Sequence, residues 1–168
     1  MIALIFLSAF PAALLIAAMN DLMEFKIPNW ASGVMFVSYF GASLLLGAPV
    51  SQLLEGVFLA LAVLAVGFTL FATKIIGAGD AKLLAAAAPW IGLSALMGFI
   101  LNVAVAGAIF AFALMAFRQA PLLPVYARAP WLIRLHERPR DIPYGVAIAI
   151  GGMLTFPQTP NFQLAFGG

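Results

Sequence analysis

Six carboxylates stand among 168 residues, and two of them fall where a carboxylate is hard to accommodate without a purpose. Asp21 closes a charge-free run, within Asn20-Asp21-Leu22-Met23-Glu24-Phe25-Lys26-Ile27-Pro28-Asn29, and Asp80 opens another, within Gly77-Ala78-Gly79-Asp80-Ala81-Lys82. An acid at membrane depth is a functional hypothesis by default, because its charge is costly to desolvate. The chain has no cysteine and one histidine, His136. That excludes disulfides, a cysteine nucleophile and thiolate zinc sites, and it leaves too few ligands for a histidine metal cluster. Two carboxyls that meet need neither metal nor cofactor. Held close, they resist ionising together, so one keeps its proton while the other carries charge. The charged one takes a proton from water as it attacks a peptide carbonyl, the other donates to the oxyanion, and the proton taken from water goes on to the leaving nitrogen. Gly77 and Gly79 are expected to supply backbone conformations closed to other residues and room for an extended substrate strand.

The elements that must position these acids follow from composition. The chain is 65% apolar and 8% charged, with a mean hydropathy of +1.12, whereas soluble domains run at about 45–50% and about 25%. A soluble enzyme, a nucleic-acid binder and a disordered chain are excluded. The run Leu83–Phe117 has 35 residues without a charge. As one helix it would be about 52 Å long at about 1.5 Å per residue, against a hydrocarbon core of about 30 Å. Two spans meeting near Gly92-Leu93-Ser94 fit better. The expected fold is therefore an all-α integral membrane protein, a six-transmembrane-helix bundle forming one domain over residues 1–168. Its spans are roughly 1–19, 30–46, 53–73, 78–93, 96–117 and 142–157, and the tail beyond them reads as short and polar.

Loops 20–29, 74–82 and 118–141 hold Lys26, Lys74, Lys82, Arg118, Arg128, Arg134, Arg138 and Arg140, all eight basic residues. The positive-inside rule places these loops in the cytoplasm and both termini outside, in the periplasm. No basic stretch precedes Met1–Met19, so it reads as a retained span rather than a signal peptide. Two crossings separate Asp21 from Asp80, which returns the chain to the face it left and sets both acids at the cytoplasmic boundary.

These residues resemble a known family. Asp21, five residues and then Ile27-Pro28-Asn29 is similar to the first active-site motif of the type IV prepilin peptidases. Gly77-Ala78-Gly79-Asp80-Ala81-Lys82 resembles their second, Gly-x-Gly-Asp-x-Lys, and Ile142-Pro143-Tyr144-Gly145 resembles a segment of the short forms in tight-adherence (Flp-type) pilus systems. The resemblance implies a multi-pass aspartic endopeptidase of the bacterial inner membrane that removes the basic leader of pilin or pseudopilin precursors at the cytoplasmic face. It implies Asp21 and Asp80 as the catalytic pair, with Gly77, Gly79 and Lys82 supporting the second acid and Pro28 and Asn29 forming a turn beside the first. Glu24, Pro143, Tyr144 and Gly145 are candidate substrate contacts, and pilus assembly machinery and the lipid bilayer are candidate partners. The long members carry a cysteine-rich insertion between the first two spans and also N-methylate the mature pilin. Here that connection is short and lacks cysteine, so cleavage alone is expected, with no cofactor, no metal and no nucleic acid.

Plainer readings exist for other charges. Glu24 reads first as an exposed charge. Glu55 sits at a helix start, where the dipole favours an acid without any function, and Asp141 balances Arg140. Asp21 and Asp80 could each be a solvated carboxylate balancing Lys26 or Lys82. Trp131, Leu132 and Ile133 beside Arg134 suggest a segment lying in the membrane interface. Among other functions, a presenilin-like intramembrane protease shares Gly-x-Gly-Asp but expects Tyr-Asp and Pro-Ala-Leu motifs that are absent. A non-catalytic membrane assembly subunit would use the acids as ion ligands or charge partners.

Overall fold

The computed structural model describes residues 1–121, 129–138 and 141–167, so Arg128 and Arg140 of the expected 118–141 loop lie outside the described residues. The described residues are helical, with no strand among them. Four helices come first: α1 (Ile2–Glu24), α2 (Asn29–Leu45), α3 (Val50–Ala72) and α4 (Ala78–Gln119). After them come a short α5 (Pro130–Glu137), α6 (Tyr144–Thr155), a 3-10 turn (Phe156–Gln158) and α7 (Pro160–Phe166). α1, α3 and α4 are long and apolar enough to cross a membrane. The chain is an all-helical membrane protein.

Proline sets several helix starts. Pro28 and Pro49 are the N-caps of α2 and α3, each with φ −66°, and Pro130 and Pro160 lead α5 and α7. A fixed φ suits that position, and the missing N–H would have had no helical acceptor there. α1 does not stop at Asp21, as the charge pattern had suggested, but continues to Glu24. It keeps Asp21 buried in its last turn and closes on Phe25 in the left-handed region, φ 56°.

α4 would be about 63 Å long if straight at about 1.5 Å per residue. It is broken at Gly92, whose φ of 71° and ψ of 163° only glycine adopts readily. The break reverses the chain. Along the first limb (78–91), Ala81 lies beside Gly67 and the Leu93 N–H reaches Glu55 Oε1 at 2.8 Å, so the limb runs antiparallel to α3. Along the second limb (93–119), Asn102 bonds Thr155 and Gly107 lies against Tyr144. That limb runs antiparallel to α6 and ends where Arg118 donates to the Asp141 carbonyl at 2.6 Å. Tyr144, Asp141 and Asp80 line one cavity, so α4 begins and ends at the same end of the bundle.

The core is built from Leu7, Phe10, Leu14, Met35, Tyr39, Leu83, Trp90, Ile91, Phe99 and Ile148. Trp90 anchors it, donating from Nε1 to the Met35 carbonyl at 2.8 Å and packing on Phe10 and Tyr39. Large apolar side chains also point outward, Phe58 and Phe112 at 69% and 72% exposure, which water would penalise and lipid accepts. The tail, expected to be short and polar, packs into the bundle. Asn161 is fully buried, accepting from Gln52 Nε2 at 2.9 Å and donating to Ser43 Oγ at 2.9 Å, so α7 is pinned to α2 and α3.

Candidate functional site

Asp21 and Asp80, 59 residues apart in sequence, both line a cavity of about 610 Å³ together with Phe25, Lys74, Gly77, Arg138, Asp141 and Tyr144. On their other side a second cavity of about 350 Å³ is lined by the same two acids with Lys26, Ile27, Asn29, Gly79 and Lys82. The acids reach this place from opposite helix ends, Asp21 from the last turn of α1 and Asp80 from the first turn of α4. Each is held by one backbone donor. The Gly145 N–H donates to Asp21 Oδ2 at 2.7 Å, and the Gly77 N–H donates to Asp80 Oδ2 at 3.0 Å. Among the described residues neither acid makes an ion pair, and Oδ1 of each accepts no hydrogen bond. Lys26 and Lys82 share a cavity with the acids but form no direct ion pair with them among the described residues.

The glycines of both motifs are required by space, and this corrects the expectation that Gly77 and Gly79 serve through unusual dihedrals. Gly77 has an ordinary φ of −75°, and neither residue is among the glycines with positive φ. A Cβ on Gly77 would stand 2.9 Å from Asp80 Oδ2, and one on Gly145 would stand 2.9 Å from Asp21 Oδ2 and 3.0 Å from its Cβ. A Cβ on Gly79 would stand 3.0 Å from Ile27 Cβ. Gly77 and Gly145 thus let a peptide N–H come close to an acid, while Gly79 lets the α1–α2 connection lie against the start of α4.

Lys82 completes that join, donating from Nζ to Asn29 Oδ1 at 3.0 Å. Pro28 precedes Asn29 as the N-cap of α2. Of the candidate substrate contacts, Tyr144 lines the larger cavity, whereas Pro143 and Gly145 are buried behind it. Glu24 is exposed on α1 and lines neither cavity, so the structure does not gather it with Asp21 and Asp80. Asp141 pairs with Arg138 at 3.5 Å, and the Arg138 guanidinium lies 5.0 Å from the centre of the Phe25 ring. Sequence reasoning gave Glu55 no role, yet its side chain accepts the first N–H beyond the Gly92 break. A lone acid in an otherwise apolar span was the available signal.

The sequence profile of the type IV leader peptidase family matches residues 8–112, more than half of the chain. The chain belongs to the type IV leader peptidase family. The matched stretch holds Asp21, Asp80 and the glycines between them, while the Pro143-Tyr144-Gly145 segment of this peptidase lies beyond it. No curated protein and no solved structure matches the chain.

Proposed function

We propose that this peptidase is an aspartic prepilin leader peptidase in which Asp21 and Asp80 form the catalytic pair. The observation that carries the reading is that two acids from distant motifs line one cavity, each with Oδ2 held by a glycine N–H and Oδ1 open. Fixing one oxygen sets the carboxyl plane and leaves the other for the reacting atoms. A water between the acids gives its proton to the ionised carboxylate as its oxygen attacks the scissile carbonyl carbon. The second carboxyl, protonated, donates to the carbonyl oxygen; as the tetrahedral intermediate collapses and the C–N bond breaks, the first acid gives the water's proton to the leaving nitrogen and the second takes one back from an intermediate hydroxyl. No other group has to change its protonation.

The substrate in this reading is a pilin or pseudopilin precursor, cut between its basic leader and its apolar helix at the cytoplasmic boundary of the bacterial inner membrane. Six crossings, with the termini in the periplasm, agree with the antiparallel limbs of α4 and with the described basic residues. Lys26, Lys74, Lys82 and Arg138 all line the two cavities, and Arg118 is bonded beside them. Residues 25–28 join α1 to α2, a connection with no room for the cysteine-rich insertion of the two-activity members, so cleavage without N-methylation is expected.

The test is co-expression of a pilin precursor with the wild type, Asp21→Asn and Asp80→Asn. Loss of cleavage in both variants, with normal membrane insertion, supports the pair. Persistent cleavage in both rejects it.

A further inference from the structure

Beside the site a third cavity of about 350 Å³ opens on the outer side of the bundle, lined by Asn29, Ser32, Gly33, Phe36, Ala60, Leu61, Lys82 and Ala85 among others. It exists because α2 and α3 both pack on α4 but scarcely on each other. They meet toward the far end, where the Tyr39 hydroxyl donates to the Gln52 carbonyl at 2.8 Å and the ring lies against Gly56. Nearer the acids they part, and α4 floors the gap with Ala85 and Ala86. The groove ends toward Tyr39 and adjoins the site at its other end, where the bonded pair Asn29 and Lys82 lines both it and the smaller of the two acid-lined cavities.

One polar atom in this wall is unexplained. Ser32 is 8% exposed, and its Oγ has no hydrogen-bond partner among the described residues. Hydroxyls on apolar helices ordinarily bond back to a carbonyl one turn earlier. Here Thr69 bonds to the Ala65 carbonyl at 3.0 Å, Thr155 to that of Gly151 at 2.8 Å and Ser38 to that of Met35 at 3.0 Å. Ser32 lines a groove of small and apolar side chains while its Oγ stays buried and unpaired. From Asn29 to Phe36 the groove is about 10 Å long at about 1.5 Å per residue, or about two helical turns.

We infer that this groove receives the first two turns of the precursor's apolar helix, and that Ser32 Oγ, buried and unpaired beside the groove, turns about its Cα–Cβ bond to accept one of the N–H groups a helix leaves open in its first turn. The inference rests on the peptidase reading above and extends it. A precursor cut at Asp21 and Asp80 has its apolar helix beginning just past the scissile bond, and the groove begins where the acid-lined cavity ends. Gly33, Ala60, Ala85 and Ala86 let two helix backbones approach closely, which is how helices associate in lipid. Ser32 and Gly33 are thus binding residues, not catalytic ones.

The experiment has two arms, each using the full chain in membranes with an intact precursor. A benzophenone amino acid at position 33 or 61, in the Asp80→Asn background, is expected to crosslink to the precursor, whereas one at Phe112, on the exposed face of the second limb of α4, is not. In otherwise wild-type protein, a Cβ on Gly33 meets open space, so Gly33→Leu fills the groove without disturbing the fold. It is expected to raise KM at least tenfold with kcat within twofold. Ser32→Ala raises KM several-fold, and Ser32→Thr restores it. Crosslinks at 112 but not at 33 or 61 overturn the inference, as do crosslinks to lipid alone with an unchanged KM in Gly33→Leu. A wild type that cuts no precursor is a different result. It overturns the proposed function itself, and the groove's occupant with it.

Discussion

Both ends of this bundle concentrate polar side chains in an otherwise apolar chain, and they treat them in opposite ways. At the far end Ser43, Gln52 and Asn161 bond one another, Thr159 Oγ1 accepts the Phe162 N–H, and Glu55 caps the chain after Gly92. Asn161, Thr155 and Thr159 are fully buried there. At the site end Asp21 and Asp80 each keep an oxygen without a partner among the described residues, cavities open on both sides of them, and the helix-ending residues Phe25 and Lys74 are held in the left-handed region. A satisfied polar cluster in lipid locks helices together, and an unsatisfied one is available for chemistry. The contrast lies in hydrogen-bond completeness, not in polarity.

The comparison breaks first at the acids. Asp21→Asn and Asp80→Asn are each expected to lower the cleavage rate of a pilin-type precursor by about 10³-fold or more, with the thermal unfolding midpoint in detergent little changed. Gly145→Ala, which crowds Asp21, is expected to cost about 10–100-fold in kcat through misplacement of the acid. A precursor assay with purified enzyme separates the two cases, since the alanine variant keeps residual turnover. Asn161→Ala should do the reverse of both: lose about 1–3 kcal/mol of stability by leaving Ser43 and Gln52 unpaired, with turnover per folded molecule unchanged. A large loss of kcat in Asn161→Ala would show that the far end is not merely structural. The smallest effect is expected at Lys74, where φ is 61°. Lys74→Gly should raise stability by about 0.5–1 kcal/mol by relieving that conformation, measured by thermal unfolding.

The charged residues made the site readable in the sequence. In so apolar a chain Asp21 and Asp80 had few competitors for a role, and their motifs carried the resemblance to the family that the profile match supports. Length arithmetic also pointed to a break near Gly92, because a lipid layer limits a helix whatever its side chains. What the sequence hid were relations across helices. Nothing in Gly77 or Gly145 announces that an acid will sit 2.9 Å from where a Cβ would be. Glu24, three residues from Asp21, reads first as an exposed charge, and α1 does expose it while burying Asp21. The tail looked polar because Gln158, Thr159, Asn161 and Gln163 are polar, yet Asn161 is buried by partners 109 and 118 residues away. Lys74 and Arg138 share the larger cavity with the acids, so its lining carries both signs of charge.

The bond from Gly145 to Asp21 spans 124 residues, and that separation has a temporal meaning. A ribosome making about 5–20 residues per second releases α1 several seconds before α6 exists. Throughout that interval Asp21 has no Gly145 N–H to hold its Oδ2, so in the proposed function the acid pair is complete only once the last helices are made.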